Sequence, residues 1–591
     1  MKIRSFAIDN FRALSGGLQN NKVDFRESNT IFLFGQNNVG KSTFLKAYEF
    51  FYKSETPKED DFFKKDTSRK IEFELEVELD EFDFEKIAAV APKKKDSIKT
   101  WLKDEKILKV KKIYAMNAKK PEVKNLTLNP SAPDWEQPKQ NDWDETNYGS
   151  IGLDSIFQSC LPTPIFIKAM PTENEVESII NDILSEKAKR FLTAKEVSEL
   201  EDAKIKIKQL QDKMYNPASI SSYKKDVNEH FQKVFPNVKI ELSEQDKVKW
   251  TEDKLGRKFN VHFEKVNDEG ETDGTIPTSY EKIGHGAVRT AMFALLLMQD
   301  IADEFKREKN RKDYLVLFEE PELFLHPKLM RELRALIYKV SEDDLPYQVL
   351  CASHSPQMID ISKPKSSLVR MVKRADNTTQ LFQVNEEYLK IAKGVATKEE
   401  LKQEMYEVLR FNPFLCESFY ADEVILIEGP TEEIILRGFL EEKNPSKDLF
   451  LVNCGTINNI PFYQKMFSKF HIKYHIICDT DKSIQSGDDQ NYNPIFTTHI
   501  QGTIYNQLIE DYALGDFIPG ILRVHSTTFE PAHTDSSIPE KLRFKEAEYS
   551  SSDGKPFNAN KYWREVLQPN LNDSNIQAVP IIKYISEIID N

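Results

Sequence analysis

The sequence predicts an α/β protein of two successive domains, the first with a mixed sheet and a helical insertion, the second with a central parallel sheet. One observation is a buried-strand pattern at Ile31–Phe34 that runs into a glycine-rich turn and then a helical pattern. Another is a new series of apolar strands and helices that starts at Val424 and continues to the end of the chain. The length of 591 residues supports this division, because a single core does not grow to that size.

Composition and charge exclude several classes of protein. The chain is 39% hydrophobic and 30% charged, with a formal net charge of −14, which excludes a generally basic surface but not local phosphate binding. No run approaches the roughly 18 apolar residues of a membrane span, and Met1–Ser5 leads into no signal-peptide core. The five cysteines have neither metal-ligand nor disulfide spacing, so we predict a cytoplasmic protein with no membrane contact.

Hydrophobic periodicity places further elements along the first domain. Alternation at Lys2–Asn10 and over residues 71–79 predicts strands, and the second should be antiparallel with one face in water. Residues 115–150 are rich in Pro, Asn, Asp and Trp and predict a loop. Residues 173–235 are charged and helical, which fits either a solvated helical pair or an oligomerisation arm. Further strands are expected at Val238–Leu242, Val261–Val266, Tyr314–Phe318 and Gln348–Ala352, and helices at Ala287–Phe305 and 385–417.

A phosphate-binding loop follows the first buried strand. The segment Gly35–Ser42 matches the pattern G-x-x-x-x-G-K-[ST]. Its glycines let backbone N–H groups surround phosphates, Lys41 reaches the outer phosphates, and Ser42 offers a hydroxyl to Mg²⁺. The alternative is a plain glycine turn, which the flanking strand and helix disfavour. We therefore expect ATP with Mg²⁺ to bind at Gly35, Asn38, Gly40, Lys41, Ser42 and Thr43.

Two later segments supply the other half of a nucleotide site. A buried strand ends in Glu319 and Glu320, which would hold the metal through water and polarise the attacking water, respectively. His354 follows the next apolar strand, where it either senses the γ-phosphate or serves as a structural hydrogen-bonding group. Gly284 and Gly286 open a helix before the acids, and amides at such a helix start can face an anion.

The order of these motifs resembles ABC-type ATPases of the SMC and RecF kind. The segment Ile8–Arg12 is also similar to the opening of that group. The resemblance implies that Gly284 and Gly286 form a signature motif, which contacts the nucleotide of a partner subunit. The chain departs from the pattern at Val288, where glutamine is common, and at Glu319, where many relatives have aspartate.

Carboxylates at two further strand ends form a second candidate site. Glu428 ends a buried strand, and Glu432 converges with it if a helix starts between the two. Asp479 and Asp481 end another strand, and an extended Asp-x-Asp segment would point both carboxylates to one side. Such a cluster is costly unless cations share it, and oxygen ligands suit Mg²⁺ or Mn²⁺, a pair of which can cleave a phosphodiester. Solvated turn acids are the alternative, and Glu433 stays open as the ligand in place of Glu432.

The two acidic segments, Glu-Gly-Pro-Thr-Glu and Asp-Thr-Asp, resemble the TOPRIM domain. An ABC-type ATPase followed by TOPRIM is the architecture of the OLD (overcoming lysogenization defect) nucleases, and the nuclease subunit of the Gabija anti-phage system has the same layout. The resemblance implies that Glu428 is the general base and that Lys555 stabilises the scissile phosphate, with Glu510 a weaker candidate ligand. It also implies DNA as substrate, dimers or tetramers formed through the ATPase side, and a role in phage defence.

These features together predict an ATP-regulated, metal-dependent DNA endonuclease or nickase. The expected domains are the ATPase at 1–172 and 236–384, a helical insertion and candidate dimerisation region at 173–235, a helical connector at 385–417 and TOPRIM at 418–591. One alternative is an ATP-driven DNA-binding protein with an inactive TOPRIM domain. Another is a primase or topoisomerase, although no tyrosine-bearing cleavage domain is recognisable. The DNA target and a UvrD-like helicase partner stay open.

Overall fold

Two sets of sheets, each with its own core, divide the chain in the computed structural model. Unit one comprises Met1–Met358 and Lys365–Leu381, and unit two comprises Ile359–Pro364 and Phe382–Asn591. Within the residues that the structure describes, no helix is both long enough and apolar enough to cross a membrane. The described residues are 1–90, 98–99, 101–116, 121–144, 160–171, 175–176, 178–181, 217–234, 238–244, 259–265, 285–296, 313–342, 347–362, 367–411, 414–481, 500–515, 517–545 and 554–591.

An antiparallel sheet in unit one is built from the alternating N-terminal segments. Its strands are β1 (Lys2–Asp9), β2 (Lys22–Asp24), β4 (Ile71–Glu78), β5 (Ile107–Met116), β6 (Pro121–Leu128) and β7 (Trp143–Asp144), and their order is β2-β1-β4-β5-β6-β7. The alternation placed β1 and β4 correctly, because every second side chain of a strand faces the core. Phe6 of β1 and Phe73 of β4 stack there, with ring centroids 6.1 Å apart.

The prediction that β4 has one face in water was wrong. Glu74 and Glu76, on the polar face, are only 6% and 2% exposed. Glu74 pairs with Lys109 at 2.9 Å, and Glu76 accepts hydrogen bonds from Arg4 Nε and Trp135 Nε1, both at 2.9 Å. Alternation reports which side chains are polar, but it does not report whether a polar face is covered by paired groups.

The prediction that residues 115–150 form a loop was also wrong in part. Strand β6 lies within that stretch and pairs antiparallel with β5 from Met116 opposite Pro121 to Val110 opposite Thr127. Its end is anchored by Leu128, which is fully buried. The short alternation of β6 was obscured by the Pro, Asn and Asp content of the surrounding window.

A second sheet in unit one carries the candidate nucleotide residues. Its strands are β3 (Thr30–Phe34), β8 (Thr163–Ile167), β11 (Tyr314–Glu319), β12 (Tyr347–Ala352), β13 (Ser367–Lys373) and β14 (Thr379–Val384), in the order β14-β13-β3-β12-β11-β8. The neighbours from β13 to β8 are parallel. Their carboxyl ends therefore meet at one edge, where the loops after β3, β11 and β12 come together. A separate hairpin pairs β9 (Val238–Glu244) with β10 (Phe259–Lys265).

The helices of unit one include the one that follows the phosphate loop. They are α1 (Lys41–Lys53), α2 (Glu81–Val90), α3 (Pro217–Val234), α4 (His285–Leu296) and α5 (Pro327–Glu342). The helix predicted from Ala287 begins two residues earlier, and residues 297–305 lie outside the described residues. Of the predicted insertion at 173–235, the structure describes helical residues 175–176 and 178–181 together with α3, so its role in dimerisation stays a prediction.

Unit two is built on a parallel sheet, as the sequence predicts. Its strands are β15 (Glu423–Ile427), β16 (Leu449–Asn453), β17 (Lys473–Asp479) and β18 (Leu522–His525), in the order β16-β15-β17-β18 with every pair parallel. The residues expected as a connector hold α6 (Glu386–Lys393), α7 (Lys398–Phe411) and a 3-10 turn at Leu415–Phe419. The remaining helices are α8 (Pro430–Lys443), α9 (Ile460–Lys469), α10 (Ile500–Ala513), α11 (Phe529–Thr534), α12 (Lys555–Tyr562) and α13 (Pro580–Asp590).

Candidate functional site

The phosphate loop lies between β3 and α1 and depends on two glycines with a left-handed backbone. Gly35 has a φ of 138°, and a Cβ at this position would lie 2.3 Å from the Met371 carbonyl oxygen. Gly40 has a φ of 106° and caps α1, and a Cβ here would lie 2.8 Å from Leu14 Cδ2. Asn38 also has a positive φ, 62°, which asparagine tolerates better than most residues. The backbone shape therefore requires both motif glycines.

Lys41 is the buried cation at the foot of this loop. Its Nζ donates to the carbonyl oxygens of Gly35 and Gln36, both at 2.8 Å, and the residue is only 4% exposed. Burial lowers the pKa of Lys41 to about 8, while the charges of Glu320 and Glu322 oppose that shift. The ammonium can exchange its carbonyl contacts for stronger, charge-assisted bonds to phosphate. The next two predicted nucleotide residues lie in the first turn of α1 and are partly exposed: Ser42 and Thr43.

The ends of β11 and β12 bring two further candidates to the same edge. The two strands pair in parallel up to Glu319 and Ala352, and the Glu320 N–H donates to Ala352 O at 2.7 Å. His354 Nε2 lies 3.6 Å from Glu320 Oε1. Burial, followed by the charge of Lys41, lowers the pKa of His354 below its usual value. The structure thus brings Lys41, Glu320 and His354 together, with Glu319 at the end of β11.

The sequence analysis missed two charged residues at this edge. Glu322 is partly buried, its carboxylate accepts the His354 N–H at 2.7 Å, and the burial of this group raises its pKa. The Arg289 guanidinium, on α4, donates to the backbone carbonyl oxygens of Glu319 and Glu320, the second at 2.7 Å. Burial lowers the pKa of Arg289 to about 10. Both residues lie inside motifs that the sequence displays, as the last acid of Glu-Glu-Pro-Glu and the first arginine after the glycine-rich turn.

The glycine-rich turn before α4 is described only in part. Gly286 lies in the first turn of α4, and a Cβ there would lie 2.7 Å from Leu325 Cδ2 and 2.9 Å from Phe324 O. Glycine therefore permits close packing of α4 on the loop that follows β11. Gly284 lies outside the described residues.

A second site gathers three carboxylates at the carboxyl edge of the unit-two sheet. Glu428 follows β15, Asp479 ends β17, and Glu432 lies in the first turn of α8, whose N-cap is Gly429. The Asp479 N–H donates to Glu428 Oε2 at 3.4 Å. Burial, and then the charges of neighbouring acids, raises the pKa of Glu428 to about 7, of Glu432 to about 8 and of Asp479 to about 7. Carboxylates crowded in this way favour a bound cation, which removes their mutual repulsion.

Asp481 reaches this site along a different backbone path from the predicted one. An extended Asp-x-Asp segment was expected, but Asp481 has a left-handed φ of 56°, and its N–H donates to Thr527 O at 2.7 Å. Gln501 Nε2 donates to Asp481 Oδ2 at 3.3 Å. The charge of Asp481 contributes to the raised pKa of both Glu428 and Asp479. The extended geometry was therefore wrong, although the carboxylates do come together.

The side chains of Glu432 and Glu433 have different surroundings in the structure. Glu432 is 4% exposed, and the charge of Asp479 contributes to its raised pKa. Glu433 instead accepts hydrogen bonds from Arg437 Nη2 and Asn453 Nδ2, each at 2.8 Å. Of the two possible ligands, Glu432 is the one beside the other acids.

Of two weaker candidates, one reaches the acidic cluster. Lys555 begins α12, its Nζ lies 3.4 Å from Glu530 Oε1, and its charge opposes the rise in pKa of Glu428 and Asp479. Glu530 itself was missed by the sequence analysis. Glu510 is exposed on α10, and the contacts of the described residues do not connect it to the cluster.

His525 is the other residue of this site that the sequence analysis missed. It ends β18 in parallel register with Asp479, and its Nδ1 lies 3.1 Å from Asp479 Oδ1. The Phe529 N–H donates to the second oxygen, Asp479 Oδ2, at 3.3 Å. Glu432, Asp479 and His525 each offer a potential ligand atom, and these atoms all lie within 4.8 Å of one another. The segment Leu-Arg-Val-His was too short and too polar to predict as a strand.

The donors at this site fit a divalent cation. Carboxylate oxygens are the ligands that Mg²⁺ and Mn²⁺ prefer, and a neutral imidazole is a common ligand of transition metals. The His525 Nε2 is buried without a hydrogen-bonding partner among the described residues, which marks this ring as incompletely satisfied by the fold.

Comparison with known proteins identifies two domain families in this chain. The family described as AAA ATPase domain matches residues 1–359, and the one described as overcoming lysogenization defect protein-like, TOPRIM domain, matches residues 419–481. Domains of these kinds use a nucleotide and a divalent metal. A solved SMC head, bound to the C-winged helix domain of ScpA, is similar over 66% of this chain and 98% of its own, at 12% identity and a TM-score of 0.38.

Two relatives that are similar to this chain are named as nucleases. The Old nuclease of Escherichia phage P2 is 24% identical over 353 residues, which is 56% of this chain and 55% of that protein. The Endonuclease GajA of Bacillus cereus (strain VD045) is 23% identical over 478 residues, 77% of this chain and 71% of the relative. The resemblance read from the motifs is thus confirmed. With the first match covering residues 1–359 of 591, the chain belongs to the AAA ATPase domain family, and it joins this domain to the TOPRIM domain of overcoming lysogenization defect proteins.

Proposed function

We propose that this protein is an ATP-regulated, divalent-metal-dependent DNA endonuclease or nickase. The observation that carries the proposal is the convergence of four carboxylates at one edge of the unit-two sheet: Glu428, Glu432, Asp479 and Asp481. Isolated acids at strand ends are common, but a cluster in which Glu432 is buried and Glu428 and Asp479 are partly buried is costly without a cation to share. The names of the relatives, Old nuclease and Endonuclease GajA, support cleavage of nucleic acid.

At this site the chain supplies cation ligands, a base and a positive charge. A bound Mg²⁺ or Mn²⁺ lowers the pKa of the attacking water and offsets charge on the phosphate. Glu428, Glu432, Asp479 and Asp481 would hold and orient the cations. Glu428 accepts the proton of the attacking water, because its carboxylate lies beside Asp479 at the edge of the sheet where the cations would bind. Lys555, whose side chain is 72% exposed, contacts the scissile phosphate from the solvent side.

The nucleotide of unit one is ATP with Mg²⁺ in this proposal. Lys41 binds the outer phosphates, and Ser42 and Glu319 hold the metal, the latter through water. Glu320 polarises the attacking water, while His354, beside it, senses the γ-phosphate. The remaining predicted nucleotide contacts come from the loop residues Gly35, Asn38, Gly40 and Thr43.

Assembly and partners belong to the same proposal. Gly284 and Gly286 contact the nucleotide of a second copy, so the active form is a homodimer or tetramer in the cytoplasm. The insertion at 173–235 contributes to that assembly, and light scattering of a deletion variant tests it. DNA is the substrate, phage defence is the role, and a UvrD-like helicase is a candidate partner.

A plasmid-nicking assay tests the proposed activity. The full-length protein is incubated with supercoiled DNA in Mg²⁺, in Mn²⁺ and in EDTA, with and without ATP. We expect nicked or linear product in a divalent cation and none in EDTA. If no cation supports cleavage while the protein binds DNA and hydrolyses ATP, the protein is an ATP-driven DNA-binding protein and the nuclease proposal fails.

A further inference from the structure

His525 differs from the other buried histidines of unit two in what its ring nitrogens contact. Among the described residues, the other buried histidines of unit two are His475 and His533, and each has both ring nitrogens in hydrogen bonds. The ring of His475 contacts Glu423 and the Ile521 N–H, and the ring of His533 contacts Phe529 O and the Ile581 N–H. His525 has its Nδ1 beside Asp479, and its Nε2 has no partner among the described residues. A histidine that only supports the fold normally satisfies both nitrogens. Nδ1 is therefore the His525 nitrogen that faces the acidic site.

The position of His525 is set by two neighbouring strands. Strands β17 and β18 are parallel, and Asp479 pairs with His525 at their shared carboxyl end. The distance of 3.1 Å between His525 Nδ1 and Asp479 Oδ1 equals the separation of two adjacent ligands on one ion, since bonds of about 2.1 Å at right angles place donors about 3 Å apart. Glu432 lies within the same group of potential ligand atoms.

Ring packing holds the imidazole in this orientation. Its centroid lies 5.4 Å from Phe529, 5.1 Å from His533 and 5.5 Å from Tyr584, on which it stacks at 28°. The side chain is fully buried, so the ring cannot turn away into solvent. A fixed, buried ring is pre-organised, which reduces the entropy lost when it binds an ion.

We propose that His525, through Nδ1, coordinates the same divalent cation as Glu432 and Asp479, and that this nitrogen makes the site prefer Mn²⁺ to Mg²⁺. The proposal rests on the proposed nuclease site and adds a ligand and a metal preference to it. Mg²⁺ binds oxygen donors and loses its water reluctantly, whereas imidazole suits transition metals and raises their affinity for a mixed site. Carboxylate oxygens alone suit both ions, so a bound imidazole nitrogen should increase the preference for Mn²⁺.

The competing role for His525 is a hydrogen bond that orients Asp479. In that case Nδ1 carries a proton and donates it to Asp479 Oδ1, and the imidazole touches no metal. The two roles differ in the tautomer and in one observable, which is whether nitrogen is bonded to the ion. Loss of activity in a variant would not separate them, because either role supports cleavage.

Pulsed electron paramagnetic resonance on bound Mn²⁺ detects a directly bonded nitrogen. The full-length protein is loaded with one equivalent of Mn²⁺ without nucleotide, and the signal that Asp479→Ala removes is assigned to the acidic site. Wild-type protein should show imidazole ¹⁴N modulation that changes to the ¹⁵N pattern after growth on ¹⁵N-histidine. His525→Gln should lose the modulation, while His471→Gln should keep it, because His471 precedes the opposite end of β17.

Affinity measurements supply the second readout. Loss of a residue that only supports a metal ligand weakens metal binding by roughly 10- to 100-fold. Mn²⁺ binding should weaken by at least this factor in His525→Gln and His525→Asn, and Mg²⁺ binding should change less. If both variants fail to fold, isotope labelling of the wild type still decides the ligand. Mn²⁺ bound at the Asp479-dependent site without nitrogen coupling would overturn the His525 assignment and leave the nuclease proposal intact. Absence of any Asp479-dependent Mn²⁺ site would instead count against the nuclease proposal itself.

Discussion

His354 Nε2 lies 3.6 Å from Glu320 Oε1, at the ends of two neighbouring parallel strands of unit one. The buried ammonium of Lys41 interacts with both side chains. The charge of Glu320 opposes the lowering of the Lys41 pKa, and the charge of Lys41 lowers the pKa of His354. The phosphate loop and the acidic end of β11 therefore influence each other electrostatically, and Glu320 is the acid beside His354.

The first prediction concerns Glu320. Glu320→Gln keeps the size of the side chain and removes its charge, so nucleotide should still bind. Turnover should fall by roughly 10²- to 10⁴-fold, the usual contribution of a positioned general base. Binding of a fluorescent nucleotide and release of phosphate measure the two quantities separately. Unchanged phosphate release by the variant would show that another group activates the water.

The second prediction concerns the phosphate loop. Gly35→Ala places a Cβ 2.3 Å from the Met371 carbonyl at a φ of 138°, so the loop must shift and nucleotide affinity should drop. Backbone strain alone costs ~1–3 kcal/mol. Gly17→Ala is the matched control, because its φ of 98° is also left-handed but a Cβ there meets nothing within 4 Å. Equal nucleotide affinity in the two variants, measured by calorimetry, would contradict the steric argument.

The third prediction separates two adjacent glutamates. Glu432→Gln should abolish DNA nicking and weaken divalent-cation binding, because this carboxylate lies in the acidic cluster. Glu433→Gln should cut DNA at the wild-type rate, since its bond to the exposed Arg437 is an i,i+4 pair worth about 0.3–0.5 kcal/mol. Nicking rates in Mn²⁺ decide between them. If Glu432→Gln cut DNA at the wild-type rate and Glu433→Gln were inactive, Glu433 would be the cation ligand instead of Glu432.

The fourth prediction links pH, metal and stability. Carboxyl groups in an unfolded chain have a pKa near about 4, whereas the folded chain raises those of Glu428 and Asp479 to about 7 and that of Glu432 to about 8. Above their unfolded pKa, the metal-free folded state binds more protons than the unfolded state, so stability falls as pH rises from about 5 to about 8. Differential scanning calorimetry in EDTA should therefore show a lower Tm at the higher pH.

Divalent cation and a charge-removing variant complete that test. Mg²⁺ or Mn²⁺ should raise the Tm more at about pH 8 than at about pH 5, because ions bind the deprotonated carboxylates. Asp479→Asn should flatten the pH dependence in EDTA, since it removes one of the repelling charges. An identical slope in wild type and variant would mean that other groups control the pH response.

Motifs with a fixed backbone geometry could be predicted from the sequence. The phosphate loop needs glycine at two left-handed positions, Gly35 and Gly40. A sequence pattern that reflects such a backbone requirement can be recognised without the structure. The acids at the strand ends could also be predicted as site residues, because Glu428 and Asp479 each follow an apolar run. Their convergence then follows from parallel pairing of β15 with β17.

Residues that join a site through tertiary packing could not be predicted in this way. His525 is placed by the pairing of β18, a strand of four residues, and Glu530 by the short helix after it. Arg289 reaches the end of β11 from a separate helix. The prediction that β4 has one face in water was wrong for the same reason. Trp135 and Lys109, which lie in other segments of the chain, bond to Glu76 and Glu74 and cover this face.

We propose that unit two cleaves DNA at a site that is chemically separate from the site of ATP hydrolysis in unit one. Asp479→Ala removes the carboxylate that lies beside His525 Nδ1 and accepts a hydrogen bond from the Phe529 N–H. Plasmid nicking and phosphate release are measured on the same preparation of this variant in Mg²⁺ and in Mn²⁺. We expect nicking to disappear while ATP hydrolysis stays near the wild-type rate. Nicking at the wild-type rate by Asp479→Ala would instead mean that the nuclease site lies elsewhere in the chain.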